Sequence, residues 1–157
     1  MIRKNIFILI LCFSAAVLFS SCEKKESLNG DVARPTWIAP AHSDMTSSMT
    51  AIVKVDLKVQ YPEAAEDWQR LDNDLLAAFS DETCLGVGVW KEEAGAYWLY
   101  IANPTANSQE LTANITLRYY SAHYKNLFEA ADAFLYVNDT QKGTADTPFI
   151  PVFVVLK

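Results

Sequence analysis

Three kinds of side chain in this sequence could do chemistry, and each asks for its own surroundings. Cys84 together with His42 or His123 supplies the parts of a thiol nucleophile and its base. A reactive thiol needs a cationic neighbour that lowers its pKa. Cys84 instead opens the apolar run Cys84-Leu85-Gly86-Val87-Gly88-Val89-Trp90, where a free cysteine behaves as a small buried hydrophobe. Neither histidine stands at a metal-ligand spacing, so no zinc centre is assigned. With no catalytic residue, metal or cofactor assigned, the chain reads as a non-enzyme.

The carboxylates Asp72, Asp74, Asp81 and Glu82 are the second kind. Asp72 and Asp74 precede one strand candidate, and Asp81 and Glu82 form the turn that follows it. Oxygen-rich loops can bind calcium, which makes these four weak candidate ligands, but the glycine and terminal glutamate of a dedicated calcium loop are missing. Solvated turn residues are the competing reading. A glycosidase would need two acids placed across a cleft, and this spacing selects no such pair. The third kind is aromatic. Strand alternation sets Tyr97 and Tyr119 opposite Trp98 and Tyr120 within their own strands, so some rings are expected to reach the surface. Trp98, Tyr120 and Tyr124 are the candidate ligand-facing rings, able to stack on a sugar or to form a protein contact. Otherwise the rings fill the core and cover Gly86 and Gly88.

These residues must be positioned by strands. Thr50 to Gln60 alternates with Ala51, Val53, Val55, Leu57 and Val59 on one face, and predicts a half-buried strand. Glu63 to Asp74 predicts a connecting loop with a single helical turn. Leu75 to Phe79 and Cys84 to Trp90 predict a hairpin around Ser80-Asp81-Glu82. Two glycines weaken the second strand unless a backbone or a ring approaches closely, and an aromatic ring over both is the economical expectation. Ala96 to Ala102, Leu111 to Tyr120, Leu127-Phe128, Ala133 to Val137 and Phe149 to Leu156 complete the set. About seven short strands at this spacing point to an all-β protein, an antiparallel immunoglobulin-like β-sandwich.

The amino-terminal part follows a different logic. Arg3 and Lys4 precede an apolar run from Ile6 to Phe19, and small residues lead to Cys22, the layout of a secretory signal. The run is short of the roughly 20 residues a membrane-spanning helix needs. Removal of residues 1–21 leaves about 136 residues with a net charge near −8, which argues against nucleic acid as a partner. Of the three cysteines, Cys12 leaves with the signal, so the fold must rest on packing rather than on disulfides. Glu23 to Arg34 is polar and without hydrophobic period, which predicts a flexible tether. The expected division is a signal peptide over 1–21, Cys22 and tether over 22–36, and a sandwich domain over 37–157.

Leu18-Phe19-Ser20-Ser21-Cys22 resembles the lipobox of bacterial lipoproteins, which implies that Cys22 takes the lipid and becomes the mature amino terminus. An ordinary secretory signal with Cys22 near the cut is the alternative. Asp74-Leu75-Leu76-Ala77-Ala78-Phe79, Cys84-Leu85-Gly86-Val87-Gly88 and Arg118-Tyr119-Tyr120-Ser121-Ala122 are similar to stretches of a β-sandwich module found in surface lipoproteins and large exported proteins of Bacteroidota. So are Ser47-Ser48-Met49-Thr50 and Gly143 to Phe149. The likeness covers about Trp37 to Leu156 and brings no catalytic residues with it. It implies an outer-membrane lipoprotein, held by its lipid on the cell surface or the periplasmic face, that acts as a non-enzymatic binding or adhesion module with a protein or glycan partner. Carbohydrate capture and a structural accessory role in a surface complex are the alternatives.

Overall fold

The computed structural model describes residues 27–41, 47–103 and 113–156. The signal, Cys22, His42 and the start of the strand expected from Leu111 lie outside the described residues.

Among the described residues, ten strands form two sheets. They are β1 (Ser48–Val53), β2 (Leu75–Ser80), β3 (Thr83–Val87), β4 (Val89–Lys91), β5 (Ala96–Ala102), β6 (Asn114–Ser121), β7 (Asn126–Ala130), β8 (Phe134–Leu135), β9 (Gln141–Lys142) and β10 (Phe153–Val155). One sheet has the order β4-β5-β1-β9; the other runs β10-β7-β6-β2-β3, with β8 also paired to β6. The domain is all-β and sandwich-like. Its pairing is antiparallel except where β1 meets β9 and where Val53 bridges Phe149, both parallel. The inner faces meet through Leu76, Tyr97, Leu99, Ile101, Ile115, Leu117, Tyr119, Phe128 and Phe153, all buried. Tyr119 sits at the centre, with ring contacts to Tyr97, Phe128, Phe153 and Trp68.

The stretch expected to be one strand from Cys84 to Trp90 belongs to both sheets. Thr83 to Val87 pairs with β2, whereas Val89 to Lys91 pairs with β5. Gly88 is the crossing point, its N–H donating to the Leu76 carbonyl at 2.7 Å. Strands that change sheet in this way make the corners of a sandwich. The opposite edge is bridged similarly, because the Phe149 N–H donates to the Ile52 carbonyl of β1 and its carbonyl accepts from the Lys54 N–H just beyond that strand, while Phe153 to Val155 pairs with β7 in the second sheet. Phe149 to Leu156 is therefore a seam rather than one strand, broken at Pro151. At each lateral edge the chain thus continues from one sheet into the other.

Two expectations change here. The strand from Thr50 stops at Val53, and Leu57–Val59 is a 3-10 turn capped by the Asp56 side chain, which accepts from the Lys58 N–H at 3.1 Å. A local side-chain bond of that kind competes with the ladder. Val59, expected on the inner face, is exposed. The docked part of the chain also begins earlier than expected. Leu28 is only 2% exposed, Gly30 and Val32 donate to the carbonyls of Tyr124 and Lys125, and the Asn126 amide donates to the Leu28 carbonyl. From Leu28 the chain is docked against the β6–β7 turn. It then passes Asn73, whose carbonyl accepts from Arg34, and reaches Phe79, on which Trp37 packs edge to face at 5.4 Å.

Candidate functional site

The registers give the sandwich two ends. At one lie Asp74, the start of β5 and the β6–β7 turn; at the other lie the Asp81-Glu82 turn and the starts of β1 and β6. The four candidate calcium ligands divide between these ends. Asp74 is buried and accepts from the Tyr119 hydroxyl, from the Ala122 N–H at 2.7 Å and from the Leu71 N–H at 3.0 Å. Asp72 is exposed and pairs with Arg70 at 2.9 Å. Glu82 meets Arg118 through two bonds of 2.8 and 2.9 Å, and Arg118 also reaches Glu129 at 2.9 Å. Arg118 holds the Glu82 carboxyl below its ordinary range. Asp81 takes the left-handed backbone of the turn, φ 50°. Among the described residues, no three of His, Cys, Asp and Glu gather where a metal ion could sit.

Cys84 is part-buried. Its thiol points at the Gly86 carbonyl at 3.8 Å, and burial pushes it up from its ordinary pKa, away from thiolate character. The registers also separate it from His123. Cys84 lies beside Phe79, which faces Thr116, whereas His123 follows Ser121 about 17 Å farther along β6 at ~3.4 Å per residue.

The three rings expected to face a ligand have different fates. Tyr120, 6% exposed, points to the side of the second sheet that the amino-terminal segment crosses, and Tyr124, 5% exposed, donates to the Ala64 carbonyl at 3.2 Å. Both are corrected from exposed to buried: alternation fixes the face of a ring, but the docked amino-terminal segment and the Glu63 to Asp74 loop lie over these parts of the sheet. Trp98 does stand on the outer face of the four-stranded sheet. It is opposite Val89 on one side and Ile52 on the other, with the Lys91 ammonium 6.0 Å from its ring, and its indole N–H is without a partner. Tyr100, two residues on and 48% exposed, shares that face, as does Val89 at 56%. This is a partly apolar surface whose exposed members are Val89 and Tyr100, with the Trp98 indole N–H buried beneath it and without a partner among the described residues.

The Asp74 end of the fold holds a concave site that the residue types alone do not single out. An open cleft of about 310 Å³ is lined by Ser27, Leu28, Asn29, Ala64, Asp67, His123 and Tyr124. His123 Nε2 lies 3.7 Å from Asp67, and its ring stands edge to face on Tyr124 at 4.6 Å. Burial first, and the Asp67 charge second, push the Tyr124 hydroxyl up to about 12. Only Asn29-Gly30 hinted at this cleft, as a turn signal in a stretch otherwise free of pattern.

The expected cover over the glycines is half met. Tyr97 packs against Gly88, but Gly86 is faced by the backbone carbonyl of Tyr100 rather than by a ring. Tyr97 itself is buried between Trp90 and Tyr119 with its hydroxyl unpaired. Burial, then the Asp74 charge, push it up to about 12, and the nearby Arg70 guanidinium opposes that rise without reaching hydrogen-bonding geometry. Arg70 stacks instead on Trp90, 4.4 Å from its ring. The Trp68 indole N–H, like the Tyr97 hydroxyl, is buried without a partner among the described residues. Together these groups close the end of the core as a structural cluster. Comparison with protein-family models, curated proteins and solved structures finds no match to this chain.

Proposed function

We propose that this chain is an outer-membrane lipoprotein, anchored through Cys22, whose sandwich domain is a non-enzymatic binding or adhesion module. The observation that carries the reading is the employment of its reactive groups. Asp74, Glu82, Asp72 and Arg118 are engaged in structural bonds, Cys84 is held as a thiol, and apolar and aromatic side chains face solvent on the four-stranded sheet. Surface of that kind suits contact better than turnover. Lipid on Cys22 supplies attachment, because two or three acyl chains at about 0.8 kcal/mol per buried methylene hold a protein stably on a bilayer.

The anchoring half is tested by Cys22→Ser, which should abolish acyl labelling and move the protein out of the membrane fraction. Retention of both would overturn it. For the binding half, the wild-type protein purified from detergent-solubilised native membranes should bring a stoichiometric protein partner. Release of that partner by Tyr100→Ala or Val89→Asp would tie it to the outer face, and unchanged retention in both variants would remove that face from the reading. Carbohydrate capture is the second reading, favoured by Trp98 and Tyr100 on one face. A soluble domain beginning at Ser27 should then bind immobilised glycans and lose them in Trp98→Ala.

A further inference from the structure

We infer that the anchored domain stands on the bilayer with its β6–β7 end down, the cleft of Asp67, His123 and Tyr124 next to the lipid headgroups, and the β8 end directed outward. The inference rests on lipidation of Cys22 and adds the direction in which the domain then points. Its basis is the docking of Leu28. If the amino-terminal segment were free as far as Trp37, the chain between anchor and domain would permit any orientation. Leu28 is instead buried, and Gly30 and Val32 are bonded to Tyr124 and Lys125, so the chain joins the domain at the β6–β7 turn. From Cys22 to Leu28 there are about six peptide steps, which reach at most ~22 Å even when fully extended. β6 has 8 residues and runs about 27 Å at ~3.4 Å per residue, so the far end of the sandwich lies beyond the reach of that chain.

The two ends differ as this orientation requires. Around the near end the side chains at the surface are mainly polar: Glu63, Asp67, His123 and Lys125. Val59, 54% exposed, also stands on this side; with charges of both signs around it the end has no basic patch to draw it onto anionic lipid, so the acyl chains provide the hold. Toward the far end stand exposed apolar residues: Ile38 at 81%, Leu135 at 54% and Val137 at 50%. Leu135 is fixed there by its pairing with Asn114 at the start of β6, and Val137 lies next to Asp139 on Ser48 at the start of β1, via Tyr136 on Ala113. These three apolar side chains are therefore carried away from the bilayer.

The test uses the full, lipidated chain processed in cells and reconstituted into vesicles of phosphatidylethanolamine and phosphatidylglycerol that carry a headgroup-linked fluorescence acceptor. A donor is placed at Glu63→Cys or at Asp132→Cys, both exposed, in a Cys84→Ser background. Transfer should be several-fold stronger from position 63 than from position 132. Insertion of about ten Gly-Ser residues after Glu26 should shrink the difference, because a longer flexible chain frees the orientation. Equal transfer, or stronger transfer from position 132, would overturn the orientation. A chain that carries no lipid and stays off the vesicles would instead overturn the anchoring reading and the orientation with it.

Discussion

At the scale of single residues, polar groups that look available in the chain are committed to the fold. Asp74 serves three donors and thereby joins the start of β2 to the end of β6. A buried carboxylate satisfied in this way is structural, and the ring that donates to it, Tyr119, is held as neutral phenol by burial and by the Asp74 charge. The pH consequence has a definite sign. Tyr97 and Tyr124 titrate near 12 in the folded chain and Tyr119 later still, against about 10 in an unfolded one. Folded pKa values above unfolded ones mean that their contribution is complete below about pH 10 and falls as pH rises from there through the folded values. Phenolate absorbance of the folded domain at about pH 11 should show these three tyrosines protonated, whereas the denatured chain ionises all seven. Full ionisation of a still-folded domain at that pH would contradict their burial.

At the scale of the element, the β3–β4 strand decides how the two sheets join. Gly86 is its tight point, since a Cβ there would run into the Tyr100 carbonyl, which is backbone and cannot swing aside. Gly86→Ala should cost about 3 kcal/mol, the upper part of the usual overpacking range. Gly95 gives the contrast. It takes φ 56° after the Glu92–Ala94 turn but has open space around it, so Gly95→Ala should cost only about 1 kcal/mol of backbone strain. Urea denaturation of both variants ranks them, and a Gly86→Ala domain as stable as wild type would mean that the sheets do not meet so closely at this edge. Gly86 was visible in the chain, with Gly88, as one of two glycines in a strand pattern. The identity of the obstacle was not, because a close ring and a close backbone impose the same demand on the sequence.

At the scale of the whole molecule, a docked amino-terminal segment fixes where the chain enters the domain, at the β6–β7 turn. Leu28 should therefore behave as core. Leu28→Ala is expected to lower stability by roughly 2–5 kcal/mol, the range for truncating a buried leucine. A freely tethered segment would tolerate the change within about 0.5 kcal/mol, so the denaturation midpoint of this one variant separates the two. The same docking gives the cleft one of its walls, through Leu28 and Asn29.

The sequence by itself determined the all-β class, the hairpin at Ser80-Asp81-Glu82, the strands at Leu75, Ala96 and Leu127, and the inward set Ile115, Leu117 and Tyr119. Each rests on local turn chemistry or on a period of two, and both are written in neighbouring residues. Only the tertiary structure decided that Thr50 to Gln60 divides after Val53, that Cys84 to Trp90 belongs to two sheets, and that Tyr120 and Tyr124 are buried. It alone placed Leu28 against Tyr124 and Asn126, nearly a hundred residues away in the chain. Alternation tells which side of a strand a residue occupies. It carries no information about which distant segment will come to lie over that side, and that contact separates a ring in the core from a ring offered to a ligand.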